Sequence, residues 1–344
     1  MKKRLKQVHY IALVLLFAVI AGMVLIENEN FVGQALKGPL SIRPAVIPAV
    51  KTPAIATPKP CPAGSVEITQ EDVDQALQNT NNHGYIITQP GNYCLKENIV
   101  VDGNALNVQS RGGLRVITIQ SEQTILDLNK NSIIDIHGSK ALAGSYGYGF
   151  DAISIWNPGQ RPQGITVKNG EIKGFDHGLV AGSLGGLEDI TAEGIIFTDN
   201  FHSLTIIETS GVVVKNNKFE NTALGININS RVLGDSNNVL VEKNTLAGAN
   251  RGIVIVKSVG VNIRENIADK LKSNPSTMLT IIDSPDVQIT DNIINNHRQG
   301  LYAYSNAQGD YLENTFCNVA TPVNAVPPAV LNEQGNNNFN AQNC

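Results

Sequence analysis

Six histidines occur among the 344 residues, and two of them, His177 and His202, lie 25 residues apart. Asp176 adjoins the first, and Asp151 stands 26 residues upstream of it. Imidazole beside carboxylate is the pairing that moves protons near neutral pH. A chain that wound once every 25 or 26 residues would carry Asp151, Asp176, His177 and His202 on three adjacent turns, within about 10–12 Å at the spacing of neighbouring strands. Just upstream runs the Gly-rich stretch GSKALAGSYGYGF, with Tyr146 and Tyr148, and shortly after it comes the single tryptophan, Trp156. Such aromatic side chains suit stacking on a sugar ring. The chemistry open to this set is proton abstraction next to a carboxylate, which needs a base, a proton donor and a positive charge. His202 or Tyr148 would be base or donor, with Asp151 orienting an imidazole. Arg251 would supply the positive charge, or a Ca²⁺ held by Asp151 and Asp176, since Ca²⁺ takes hard oxygen ligands. No other cofactor and no transition-metal cluster is called for. The alternative is a surface loop and a polar strand edge that bind nothing.

The required winding is written in the sequence as a repeat. The pattern aliphatic, any, aliphatic, any, any, Asn, any, aliphatic gives Val212, Val214, Asn217, Phe219, then Val239, Val241, Asn244, Leu246. It returns at Val261, Ile263, Asn266, Ala268, at Val287, Ile289, Asn292, Ile294, and more weakly at Tyr311, Asn314, Phe316. Upstream, Gly170 and Ile195 take the asparagine position, so the steps are 25, 22, 27, 22, 26 and 22 residues. Alternation with period two over four to six residues marks short half-buried strands, and recurrence every twenty-odd residues marks one layer of a stack. A second strand begins about eight residues after each reference position, with Leu179, Leu204, Ile226, Ile253 and Leu301 facing inward. Stacked coils share one continuous core that a single coil cannot close. The asparagines are expected to form a ladder, because Asn tolerates left-handed backbone angles and its amide reaches the coils on either side. Between Asn131 and Gly170 the chain spends 39 residues instead, the surplus containing the Tyr146 and Tyr148 loop.

A net charge of −4 leaves no basic footprint for nucleic acid. Residues 1–9 form a basic flank, and residues 10–26 an uncharged apolar run of intermediate length, either an uncleaved membrane anchor or a signal segment. The flank would stay cytoplasmic and the rest would be exported. Residues 27–62 form a proline-rich extended linker, 63–317 the coiled domain with an N-terminal cap, and 318–344 a C-terminal cap or tail. Within ITQEDVDQALQNT, Thr69 and Asp72 resemble a helix capping box, and Val73, Ala76 and Leu77 form one apolar stripe. The four cysteines sit two at each end, so export into an oxidising compartment favours Cys61–Cys94 and Cys317–Cys344 disulfides, with free thiols or other pairings as alternatives.

The stretches IITQPGNYCLKENIVV (86–101) and VITIQSEQTILDLNKNSI (116–133) resemble the opening coils of exported bacterial proteins of the pectate-lyase-like, right-handed parallel β-helix superfamily. That resemblance covers roughly residues 62 to 317 and implies a fold, not an activity, because lyases, hydrolases, epimerases and adhesins share it. In part the chain is also similar to alginate C5-epimerases, which carry YGFDPH, a DG-containing coil and an Arg-His pair on one face. Here Tyr148, Gly149, Phe150 and Asp151 repeat YGFD, Asp176 lies one coil on, and His202 takes the place of the His. Ala152 and Ile153 stand where Pro and His are expected, and Phe201 replaces the Arg, unless His177 and Arg251 substitute. The fold class expected is all-β, a single-stranded right-handed parallel β-helix with an N-terminal anchor or signal helix. The function expected is binding, and uronate lyase or epimerase modification, of an acidic polysaccharide or cell-surface glycan. The alternative is a non-catalytic glycan-binding or structural rod, with Thr205, Asn227, Val254, Thr280 and Tyr302 as an outward row.

Overall fold

The computed structural model describes residues 60–79, 83–103, 106, 113–138, 149–157, 161–230, 236–269 and 276–339. The basic flank, the 10–26 segment, nearly all of the linker, Tyr146, Tyr148 and Cys344 lie outside the described residues. Among the described residues no helix is long and apolar enough to cross a membrane.

Among the described residues every strand joins one sheet of 28 parallel strands, each paired with the strand one coil away. A coil has three faces. We call face A the one built from strands such as His202–Ser210, Leu224–Asn229 and Arg251–Val256. Face B follows it with Val212–Lys215, Ser236–Glu242 and Ser258–Arg264, and face C with Lys218–Glu220, Thr245–Ala247 and Ile267–Asp269. The expected inward residues are buried on face A (Leu179, Leu204, Ile226, Ile253, Leu301) and on face B (Val214, Val241, Ile263, Ile289). Phe197 and Phe219 stack one coil apart with centroids 5.0 Å apart.

Faces B and C meet in a two-residue corner at 216–217, 243–244, 265–266, 291–292 and 313–314. The second residue of each is the ladder asparagine, fully buried. Asn244 Nδ2 donates to Val214 O at 2.9 Å and to Asn266 Oδ1 at 3.0 Å, while its own Oδ1 accepts from the Asn217 backbone N–H at 3.0 Å. The same set recurs at Asn217, Asn266, Asn292 and Asn314. One more rung exists than the repeat suggests, since Asn337 Oδ1 accepts from Asn314 N. The expectation that these asparagines themselves take left-handed angles is corrected. Positive φ falls on the residue before each, at Asn216, Lys243, Glu265, Asp291 and Glu313 (φ 57°, 54°, 55°, 55° and 57°). Asparagine is needed for its amide, not its backbone. At the earlier coil Gly170 holds the ladder position because a Cβ there would come within 2.3 Å of Leu128 Cβ.

At the N-terminal end, helix α1 (Gln70–Asn79) closes the stack with Val73 and Leu77 buried. Its capping box is formed as expected: Thr69 N donates to Asp72 Oδ2 at 2.9 Å and Asp72 N to Thr69 Oγ1 at 3.2 Å. Cys61 and Cys94 are joined in a disulfide. Cys317 is disulfide-bonded as well, its expected partner Cys344 lying outside the described residues. The C-terminal boundary at 317 is corrected too, since Thr321–Ala325, Val330–Glu333 and Asn338–Phe339 still pair as coil strands.

The corner from face C to face A places its middle residue inward: Phe175, Asn200, Thr222, Ala249 and His297 are all buried there. Asn200 is satisfied, accepting from Phe175 N and donating to Ile172 O, both at 2.9 Å. His297, 4% exposed, has neither ring nitrogen hydrogen-bonded. Burial lowers its pKa from 6.5 to about 4, against a weaker opposing pull from Asp269.

Two outcomes are expected. Asn244→Ala removes the acceptor of Asn217 N and the donor to Val214 O, and should cost roughly 2–5 kcal/mol in denaturant unfolding. For His297 the unfolded chain takes up the proton first, so stability is full above the ordinary value of 6.5 and falls as pH drops to about 4. The loss assignable to this group is on the order of 3 kcal/mol, and His297→Leu should flatten that part of the stability–pH curve.

Candidate functional site

Face A begins, in each coil, with an outward residue followed by an inward aliphatic two positions on. Strand pairing lines these first residues up as His83, Arg115, Asp151, His177, His202, Leu224 and Arg251. Five successive coils therefore present an ionisable side chain at one position. The expected residues Asp151, His177 and His202 are brought together in this row, and Asp176 sits at the corner directly before it. Arg251 stands two coils beyond His202, with Leu224 between. Trp156 is placed beside Arg115, at the end of the strand Phe150–Ile155.

Asp151, almost buried, is the centre of the cluster. Its Oδ1 receives His177 Nδ1 at 3.0 Å, and its Oδ2 lies 3.7 Å from Arg115 Nε. The aspartate thus orients His177 and not His202. Gly149 permits this contact, since a Cβ at that position would fall 2.4 Å from His177 Nδ1. Asp176 Oδ2 accepts the Phe150 backbone N–H at 3.2 Å. The rings of His177 and His202 are 5.1 Å apart, and Phe201, substantially exposed, stacks on His202 at 4.7 Å. Arg115 Cζ lies 5.0 Å over the Trp156 ring, its Nη1 is 3.4 Å from His83 Nε2, and His83 lies parallel to Trp156 at 6.1 Å.

The environments push the two central imidazoles in opposite directions. Burial disfavours charge on His177, yet the hydrogen bond it donates to Asp151 and the charges of Asp151 and Asp176 outweigh it and raise its pKa. Burial, then the positive His177 and Arg251, lower His202 to about 4. Burial followed by Arg115 lowers His83, and burial raises Asp176 in spite of its bond from Phe150 N. Of the two neighbouring rings, His177 is thus the more readily protonated and His202 the one held neutral.

A Ca²⁺ between Asp151 and Asp176 does not fit these partners: both oxygens of Asp151 face cations, and Asp176 is bonded to backbone. Among the described residues no group of three or more His, Cys, Asp or Glu side chains is arranged to hold a metal ion. Sequence reasoning missed His83 and Arg115, because the coils that carry them are 32 and 36 residues long instead of 22 to 27. The usable signal was local. HGYII, RVITI, DAISI, HGLVA and HSLTI each begin with an ionisable residue and place aliphatic or small apolar residues, or Tyr85, two and four positions later.

No curated protein matches the chain. Among solved structures, an exopolygalacturonase from Thermotoga maritima is 8% identical, with 82% of this chain and 93% of that one covered at a TM-score of 0.37. A periplasmic alginate epimerase is 9% identical over 78% of this chain and 84% of that one, TM-score 0.36. An E. coli bacteriophage tailspike in complex with a pentasaccharide is 11% identical over 78% and 62%, TM-score 0.39. A family model described as right handed beta helix region matches residues 151–318, the span that carries Asp151, Asp176, His177 and His202. Match and coil geometry agree: residues 151–318 are similar to the right handed beta helix region, which supports the resemblance to right-handed parallel β-helix proteins.

Proposed function

We propose that the row is a proton-transfer site acting on an acidic polysaccharide, by abstraction of the proton next to a uronate carboxylate. The observation that carries this reading is the pair of touching histidines with oppositely displaced pKa values, the arrangement that separates an acid from a base at one pH. Neutral His202 is the base that takes the C5 proton. The electron pair left behind moves into the carboxylate, whose growing negative charge faces Arg115 and protonated His177. Return of a proton to the opposite side of C5 inverts the sugar, and expulsion of the O4 substituent instead cleaves the chain. Trp156 and Phe201 border the row and offer faces for sugar rings. Tyr146 and Tyr148, from the loop before Asp151, are further candidates for stacking and for proton donation. The Cys61–Cys94 disulfide suits an oxidising compartment, and residues 10–26 would export or anchor the protein there. A rod that binds the same glycan without turnover is the competing reading, which would use the row Thr205, Asn227, Val254, Thr280 and Tyr302 that strand pairing lines up on face A, with Thr205 and Val254 nearly buried in it.

Two measurements test this. In histidine NMR titrations, His177 should hold its proton above the ordinary value of 6.5 and His202 should titrate near 4. Asp151→Asn should lower the first and, by removing the neighbouring charge, raise the second. Identical ordinary midpoints for both rings would remove the basis of the proposal. The full chain should also be assayed on alginate, polygalacturonate and glycosaminoglycans, with epimers followed by NMR and unsaturated uronates by ultraviolet absorbance. His202→Ala should lower turnover by about 10²–10⁴-fold with an unchanged melting temperature. Binding without turnover on every polymer would select the rod.

A further inference from the structure

We infer that face A downstream of His202 is an extended subsite for a polyanionic glycan strand lying along the solenoid axis, anchored at its far part by Arg251 and the Tyr302–Tyr304 pair. The inference rests on the proposed uronate reading for the identity of the sugar, and on separate observations for the track itself.

The first observation is charge. The protein carries 30 Asp and Glu against 26 Lys and Arg. Yet the five face A strands that follow the site, Leu224–Asn229, Arg251–Val256, Thr277–Ile282, Gln299–Tyr304 and Thr321–Ala325, hold no carboxylate. Face B of the same coils does hold them, at Glu242, Asp310 and Glu333. Within this acid-free stretch Arg251 is exposed and forms no ion pair with any described residue. Its charge reaches His202 on one side and Tyr304 on the other, lowering the pKa of the first and opposing the rise of the second, where burial, Tyr302 and the carboxylate of Asp283, at the corner after Thr277–Ile282, act the other way.

The second observation is spacing. Arg115 and Arg251 stand five coils apart in one row. At the rise of neighbouring strands that is ~24 Å, and one coil of ~4.8 Å is close to the length of one pyranose unit in an extended chain. A uronate strand along the axis would therefore present carboxylates in step with the coils, one to Arg115 and His177 at the chemistry and another to Arg251. Two coils further, Tyr302 and Tyr304 project outward from one strand with centroids 5.4 Å apart and rings tilted by 41°, a surface on which a neutral sugar face can lie.

The test uses the full chain with size-graded oligouronates from two to eight residues, measuring both calorimetric affinity and steady-state turnover. Wild-type affinity should rise with length until about five or six residues are engaged. Arg251→Ala should weaken calorimetric binding of the hexamer about tenfold and that of the dimer and trimer far less, and Arg251→Lys should recover part of the loss. Tyr304→Ala should act on the longest oligomers alone. Turnover with no length dependence, or an Arg251→Ala effect equal on short and long substrates, overturns the track while the proton-transfer reading survives. Length-dependent binding that Arg251→Ala abolishes, without turnover, keeps the track and sinks the chemistry. Equal affinity for a neutral glucan of the same length would overturn the charge argument.

Discussion

The buried asparagine amides between faces B and C are what the rest of the molecule depends on. Each amide spans two coil-to-coil gaps, accepting from a backbone N–H and donating to a strand carbonyl of the preceding coil, and donating to the amide oxygen of the following one. A slip of one residue in any coil would break the set and bury polar groups without partners, at a cost of several kcal/mol. The ladder therefore fixes how each coil sits on the last, and through the strands it fixes which outward residues face one another. It also offsets a local expense, because every corner forces a residue such as Lys243 or Glu265 into left-handed angles, roughly 1–2 kcal/mol each.

With register fixed, the chemistry of the row follows from which neighbours each ring receives. His177 and His202 have the same side chain on consecutive coils. The first meets a carboxylate that Gly149 lets approach, the second meets an aromatic ring and two positive charges. A substitution at Asp151 would remove the main support of the raised His177, while burial would still hold His202 down. Arg115, held over Trp156 and beside His83, is a cation closer to Asp151 than Arg251, the residue to which the sequence reading gave the positive charge as an alternative to Ca²⁺.

Much of this was legible in the residues. The asparagine spacing gave the coil and its core, and the period of 25 or 26 residues placed Asp151, His177 and His202 in one row. Other parts were hidden for identifiable reasons. His83 and Arg115 precede coils lengthened by residues with no periodic pattern, so counting back by the repeat lands on the wrong positions. The left-handed residue was misassigned because Asn is the usual occupant of such angles, and here the residue before the ladder Asn holds them, be it Asn216, Lys243, Glu265, Asp291 or Glu313, while the ladder Asn supplies the amide. The boundary at 317 followed the cysteine, although Asn337 continues the ladder past it. That Asp151 would select His177 over His202 depends on a 3.0 Å contact that no spacing encodes.

The corners differ in what they tolerate. From Lys215 to Thr315 the B-to-C corner is two residues in every coil, because a third would unseat an amide. The C-to-A corner is three residues at 221–223 and 248–250 but runs through 102–113 and 136–149 before Arg115 and Asp151. The solenoid thus separates the part of the chain that must be conserved to fold from the part that can be lengthened beside the chemistry. A lineage can rewrite what reaches the row by inserting residues at one corner, while the other corner keeps the scaffold indifferent to the change.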